Sequence, residues 1–142
     1  MHKLIVGLEI HVQLKTNTKL FCSCSTTPSE TNQNTCPTCL GLPGATLSLN
    51  RKAINLAIKT GIILNSTIAP ITKWDRKQYF YPDSPKGYQI SQYYNPICTN
   101  GYFEVPQTNK KINIHQAHLE EDAGKITNNS EIDLNRAGIP LL

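Results

Sequence analysis

At 142 residues, with 39% hydrophobic and 17% charged residues, the chain has enough apolar content for one packed domain or a piece of a larger one, and its composition excludes a disordered tail. A net charge of +4 permits a polyanionic partner without requiring one. No run is long and apolar enough for a transmembrane helix, and Leu4-Ile5-Val6-Gly7-Leu8, interrupted by Glu9, is too short for a secretory signal, so a soluble protein in a reducing compartment is expected.

Leu4, Val6, Leu8, Ile10, Val12 and Leu14 occupy even positions, while Gly7, Glu9, His11 and Gln13 occupy odd ones. Only Ile5 breaks the alternation, which predicts a strand over residues 3–14 with one buried face. Glu9 and His11 then share the polar face, about 7 Å apart. A wet outer face would account for them equally well.

Four cysteines follow within eighteen residues, as Cys22-Ser-Cys24 and Cys36-Pro-Thr-Cys39. Four thiolates can close a tetrahedral shell around zinc. The second pair runs into Leu40-Gly41-Leu42-Pro43-Gly44, whose glycines and prolines suit a tight loop. Two disulfides or four unconnected thiols are the competing readings, and nothing else suggests a secreted chain. The Cys-x-Cys pair is narrower than in a standard zinc ribbon. Cys98, the fifth, reads as a small buried hydrophobe.

Further on, Asn50 can cap a helix over about 50–62, with Ile54, Ala57, Ile58 and Ile62 forming a core stripe and Gly61 a stop or kink. Residues 65–100 are rich in turn signals and poor in helical period. Strands are predicted at 101–105, 111–121 and 131–135, separated by turns at Pro106–Asn109 and Asn128–Asn129. Several strands, one early helix and no regular strand–helix alternation give an α+β fold with a mostly antiparallel sheet and few helices. No repeat or linker divides the chain. Its final run, Gly138-Ile139-Pro140-Leu141-Leu142, is apolar and reads as a cut through an incomplete domain.

A second concentration of chemistry lies at His115-Gln-Ala-His118-Leu-Glu120-Glu121-Asp122, where three of the ten acidic residues are consecutive. On a strand over 112–120, His118 and Glu120 share a face. Clustered carboxylates repel unless screened, and hard oxygen donors suit Mg²⁺ carrying nucleotide phosphates. Taken alone, the segment reads as a solvated acidic turn. Combined with Glu9 and His11, it offers one polar face of imidazole and carboxylate. All six tyrosines fall between Tyr79 and Tyr102, near Lys73, Arg76, Lys77 and Lys86. Aromatic planes stack on bases and cations meet phosphates, so Lys73–Tyr94 is the expected ligand-facing stretch, although any single tyrosine reads as packing. The chain has no G-x-x-x-x-G-K-[ST], no G-x-G-x-x-G and no G-x-S-x-G, so any ATP is bound without a P-loop.

Gly7-Leu-Glu-Ile-His-Val-Gln-Leu14, Asp75-Arg-Lys-Gln-Tyr-Phe-Tyr-Pro-Asp83, Gly87-Tyr-Gln-Ile-Ser-Gln-Tyr93, His118-Leu-Glu-Glu-Asp-Ala-Gly124 and Asn135-Arg-Ala-Gly138 together resemble the GatB family, the B subunits of the tRNA-dependent amidotransferases. The resemblance spans the chain but only the amino-terminal portion of the family's catalytic domain, here residues 1–142 with a zinc loop at about 22–39. It implies a fold like that of glutamine synthetase and the guanidino kinases. It implies ATP-dependent amidation of misacylated Glu-tRNA(Gln) or Asp-tRNA(Asn): the side-chain carboxylate is phosphorylated, then ammonia displaces phosphate. The amidotransferase's A subunit would release that ammonia from glutamine and its small C subunit would brace the pair, in a heterotrimer with no membrane partner. On this resemblance Glu9, His11, Glu120 and Glu121 are the catalytic candidates, with Glu9, His11 and Glu120 holding Mg²⁺. Lys77, Tyr79, Tyr81, Lys86, Tyr88, Gln89, Ser91 and Gln92 are candidates for the nucleotide or the tRNA end. Cys22, Cys24, Cys36 and Cys39 match the family members that carry zinc, which would be structural. The expected compartment is a bacterial cytoplasm or an organelle, and the 142 residues alone are expected to be inactive. A non-catalytic zinc-stapled RNA-binding module is the alternative, but a phosphate-binding surface gains nothing from the carboxylates. A zinc-held scaffold would have no need of the tyrosine–lysine segment.

Overall fold

The computed structural model describes residues 2–128 and 130–142, and the turn expected at Asn128–Asn129 therefore lies partly outside the described residues. Among the described residues there are two helices. α1 (Pro37–Leu40) is a single turn within the cysteine loop, entered through Pro37 and closed by Gly41 at φ 71°, a left-handed value that glycine adopts without strain. α2 (Arg51–Ile63) begins where Asn50 accepts hydrogen bonds from the backbone of Lys52 and Ala53, at 2.9 and 3.3 Å. The Asn50 amide also donates to the carbonyl and hydroxyl of Thr18, so the cap fastens the helix to the loop before the cysteines.

Among the described residues nine strands complete the architecture: β1 (Thr67–Ile68), β2 (Asp75–Gln78), β3 (Tyr88–Ser91), β4 (Cys98–Val105), β5 (Lys110–Ala117), β6 (Glu120–Glu121), β7 (Lys125–Ile126), β8 (Ile132–Asp133) and β9 (Pro140–Leu141). They form three sheets, ordered β1-β4-β5, β2-β3-β6-β9 and β7-β8, with every pairing antiparallel. The fold is α+β, as expected. Its core joins Leu20 and Phe21, the Ala53–Ala57 face of α2, and Ile90, Ile97, Cys98 and Leu119.

Five local expectations change. The helix does not stop at Gly61 but continues to Ile63. Gly61 is where α2 meets β4 and β1, because a Cβ there would collide with the Cys98 sulfur and the end of Ile68. The buried row of α2 is Ala53, Ala57 and Gly61, four residues apart; Ile62 lies about 100° off that row and is 63% exposed. The strand expected at 111–121 is broken after Ala117: Leu119 enters the core and Glu120–Glu121 pair in a different sheet. The strand expected at 131–135 is reduced to Ile132–Asp133, paired with β7. The β2–β3 hairpin lies within the stretch that read only as turns.

The predicted strand over 3–14 is the largest correction. Only its last part is paired: Val12 exchanges two backbone hydrogen bonds with Leu142, at 2.9 and 3.0 Å, and the Leu14 amide donates to the Pro140 carbonyl at 2.9 Å. Alternation specifies a strand only where a partner supplies the ladder and a layer covers the apolar face. Residues 4–10 have neither among the described residues, and Leu4 and Leu8 are 88% and 86% exposed.

Candidate active site and metal loop

The cysteine loop is built from a tight reversal and a helical turn. Thr18 and Ser25 form an antiparallel bridge, and the Lys19 amide donates to the Cys24 carbonyl at 3.0 Å, which turns Cys22 and Cys24 inward. The turn of α1 presents Cys36 and Cys39. The four sulfurs lie within 4.8 Å of one another, close to the roughly 3.8 Å edge of a tetrahedron with Zn–S bonds of about 2.3 Å. All five cysteines are free, so the disulfide reading is not realised.

Proton sharing within the cluster supports a metal-binding reading. The Cys22 thiol donates to Cys39, which pulls Cys39 down to about 4, helped by the backbone amide of Cys36 and the nearby Lys19 charge. The same bond pushes Cys22 strongly upward, and burial raises Cys24 to about 11. Burial also opposes ionisation of Cys36, but hydrogen bonds from the backbone of Cys39 and its neighbours hold it below the ordinary value. Within the cluster, ionisation is thus favoured at Cys36 and Cys39 relative to Cys22 and Cys24. A bound cation would displace the shared protons and ionise all four. Donor type, number and spacing fit zinc.

Beside this loop, the sheet β2-β3-β6-β9 carries a cleft of about 220 Å³. Ser91 opposite Glu120 and Glu120 opposite Leu141 set its register, and Gln13 bridges to Leu141 at the outer edge. His11 thereby reaches across the strand ends. Its Nε2 lies 3.3 Å from Glu9 Oε1 and 3.2 Å from Glu120 Oε1. His118 approaches the other oxygen of Glu120 at 3.6 Å. Glu120 is 7% exposed; burial raises its pKa, but the His118 hydrogen bond and the charges of His118, His11 and Lys77 outweigh that and lower it.

Glu121, 4% exposed, forms the floor of the cleft with a buried ion pair to Lys86, and it also accepts from the Ile90 amide at 3.3 Å. Lys86 and Arg76 both lie over the Tyr88 ring, at 5.5 and 5.2 Å from its centroid. Asp122 accepts from Gln13 at 2.8 Å and faces Arg136 at 3.4 Å, while burial pushes its carboxyl above the ordinary range.

Of the residues expected from sequence, Glu9, His11, Glu120 and Glu121 meet at this cleft. Lys77, Tyr79, Lys86, Tyr88 and Gln89 line it too. Three do not. Tyr81 is an exposed side chain outside the lining, stacked near Tyr79 at 4.8 Å between ring centroids. Ser91 and Gln92 are buried in the core, where the Gln92 side chain accepts from the Leu119 amide at 3.1 Å. Sequence reasoning missed Asp122 and Asp83 as lining residues, although Asp122 completes the acidic run already singled out. Cys39 also borders the cleft, so the metal loop and the carboxylates share a wall.

A family model described as the GatB/GatE catalytic domain matches residues 4–142. The chain belongs to the GatB/GatE catalytic domain family. Relatives named as the B subunit of aspartyl/glutamyl-tRNA(Asn/Gln) amidotransferase include those of Rhodopirellula baltica, 55% identical over 97% of this chain, Geotalea daltonii, 53% identical over 99%, and Caldanaerobacter subterraneus, 51% identical over 99%. The chain spans about 30% of the length of these relatives: 30%, 32% and 31% respectively. The GatB resemblance read from the five motifs is thus borne out, and the cleft gathers residues from all five of them. Among the described residues no helix is long and apolar enough to cross a membrane.

Proposed function

We propose that residues 1–142 are the amino-terminal portion of the catalytic domain of the B subunit of an aminoacyl-tRNA amidotransferase, with a structural zinc loop at about 22–39. The whole enzyme would convert Glu-tRNA(Gln), Asp-tRNA(Asn) or both to the amidated forms, in a bacterial cytoplasm. Its A subunit would supply ammonia from glutamine and its C subunit would complete the heterotrimer. The observation that carries this reading is the imidazole of His11 between the carboxylates of Glu9 and Glu120, beside a cleft with lysines and a tyrosine on its other wall.

The reaction brings a substrate carboxylate against the γ-phosphate of ATP, two anions that repel. Glu9, His11 and Glu120 would hold Mg²⁺, which when bound screens that repulsion and stabilises charge during phosphoryl transfer. Glu120 stays ionised at neutral pH because the histidines and Lys77 favour its charge. Both Glu9 and Glu120 face His11 Nε2 and orient that ring nitrogen. Lys86 neutralises Glu121, so Glu121 shapes the floor of the cleft without adding net negative charge against the incoming phosphate. Lys77 and Tyr88 line the same cleft, where a cation and a ring face can meet phosphate and base or the tRNA end.

The test is ATP-dependent amide formation on misacylated tRNA by the full-length protein with its A and C partners. Glu9→Ala and Glu120→Ala should each lower the rate by about two orders of magnitude or more, the scale for loss of transition-state charge stabilisation. Unchanged rates would overturn the assignment. Residues 1–142 alone should not catalyse Glu-tRNA-dependent ATP hydrolysis; robust hydrolysis by the isolated segment would refute that expectation.

A further inference from the structure

Lys19 is fully buried, at 0% exposure, yet no carboxylate lies within ion-pair distance of it among the described residues. A buried ammonium needs an anion and hydrogen-bond acceptors near it. Its Nζ has two acceptors: the Cys39 sulfur at 3.5 Å and the Leu134 carbonyl at 3.2 Å. The backbone is equally fixed, with the Lys19 amide donating to Cys24 and the Lys19 carbonyl accepting from Asn50 at 3.3 Å. A tetrathiolate zinc centre carries two negative charges in excess.

We propose that Lys19 is the built-in counter-cation of the metal centre, a positioning residue whose ammonium donates to the Cys39 thiolate and ties the centre to the loop before β9. This rests on the reading of the four cysteines as a zinc site. The tie continues toward the cleft. Leu20 donates to the Gly138 carbonyl at 2.8 Å, and a Cβ at Gly138 would touch Lys19, Cys39 and Glu121 at 3.4, 3.7 and 3.7 Å. Lys19 thus stands where the metal loop, the Leu134–Gly138 loop and the floor of the carboxylate cleft converge. Hydrogen bonds to a metal-bound thiolate lower its electron donation and hold its orientation.

The experiment compares zinc release to a chelator from purified wild-type protein and from Lys19→Met, which keeps the side chain's length and apolar stem. Release from Lys19→Met should be about 10–100-fold faster, the usual effect of removing a hydrogen-bond partner of a ligand. In the cobalt-substituted proteins, the sulfur-to-metal charge-transfer band should move to longer wavelength in Lys19→Met, because an unneutralised thiolate is a better donor. A purely structural lysine would leave that band in place. Unchanged release and an unchanged band overturn the role of Lys19, while a wild-type protein that binds no zinc overturns the metal reading itself. Should Lys19→Met not fold, the wild-type protein loaded with cadmium-113 decides: through-bond coupling between the Lys19 ammonium protons and the metal supports the proposal, and its absence overturns it.

Discussion

The metal loop and the carboxylate cleft are adjacent, share Cys39 as a boundary, and both concentrate groups that repel one another. They differ in how they are assembled. The loop draws its four sulfurs from residues 22–39, so chain connectivity alone keeps them near each other. The cleft draws Glu9 and His11 from one part of the chain and Glu120 from more than a hundred residues later, and only sheet register brings them together. The first arrangement suits a staple, which holds a loop in one shape. The second suits a site whose geometry depends on the whole sheet.

If the two regions divide shape from chemistry, mutations should separate them. Cys39→Ser should show the largest effect: zinc content falling from about one per chain to near none, with a loss of about 4 kcal/mol or more of stability, read by metal analysis and denaturant unfolding. Glu120→Ala should lower amidation by about two to three orders of magnitude while zinc content stays at the wild-type level. Zinc loss from Glu120→Ala would merge the regions into one.

Lys86→Met should cost about 3 kcal/mol in unfolding, because it leaves the buried Glu121 carboxylate unpaired. A parallel fall in zinc retention would show that the floor of the cleft also supports the loop. Asn50→Ala should cost about 1 kcal/mol through the lost cap. Because Asn50 also holds Thr18 and Lys19, its effect on zinc release sharpens the boundary of the metal loop.

The smallest expected effect is with pH. The lowered pKa of Glu120 contributes stability that is present above its unfolded value and is lost as pH falls through the folded one, below 4.5. The stability gap between wild type and Glu120→Gln should therefore narrow only in that acid range. Asp122 has the opposite sign: its raised pKa means that protonation relieves a burial cost, so Asp122→Asn should not weaken the protein on the acid side.

The same difference in assembly explains what could be read from the sequence. Cysteine spacing is local information, and so is the cap at Asn50; both were legible. Alternation over residues 4–12 encoded an extended chain and the shared face of Glu9 and His11, but pattern cannot name a strand's partner, and only Val12–Leu14 find one here. The break after Ala117 was hidden because His118-Leu-Glu120 continues the alternation even as the chain crosses to another sheet. Ser91 and Gln92 were ligand candidates as part of the Gly87–Tyr93 motif, yet β3 runs from half-buried Tyr88 and Gln89 into the core, where Ser91 is buried and Gln92 accepts from the Leu119 amide. Lys19 gave no signal at all. A lysine next to an apolar pair reads as surface until the sulfur beside it is seen.

The antiparallel contact of residues 12–14 with 140–142 also fixes an order of events during synthesis. On a ribosome adding roughly 5–20 residues per second, His11 emerges about ten seconds before β9 exists to seat it. The four cysteines of residues 22–39 can come together early in that interval, from residues already made, whereas the carboxylate cluster must wait about a hundred residues for Glu120.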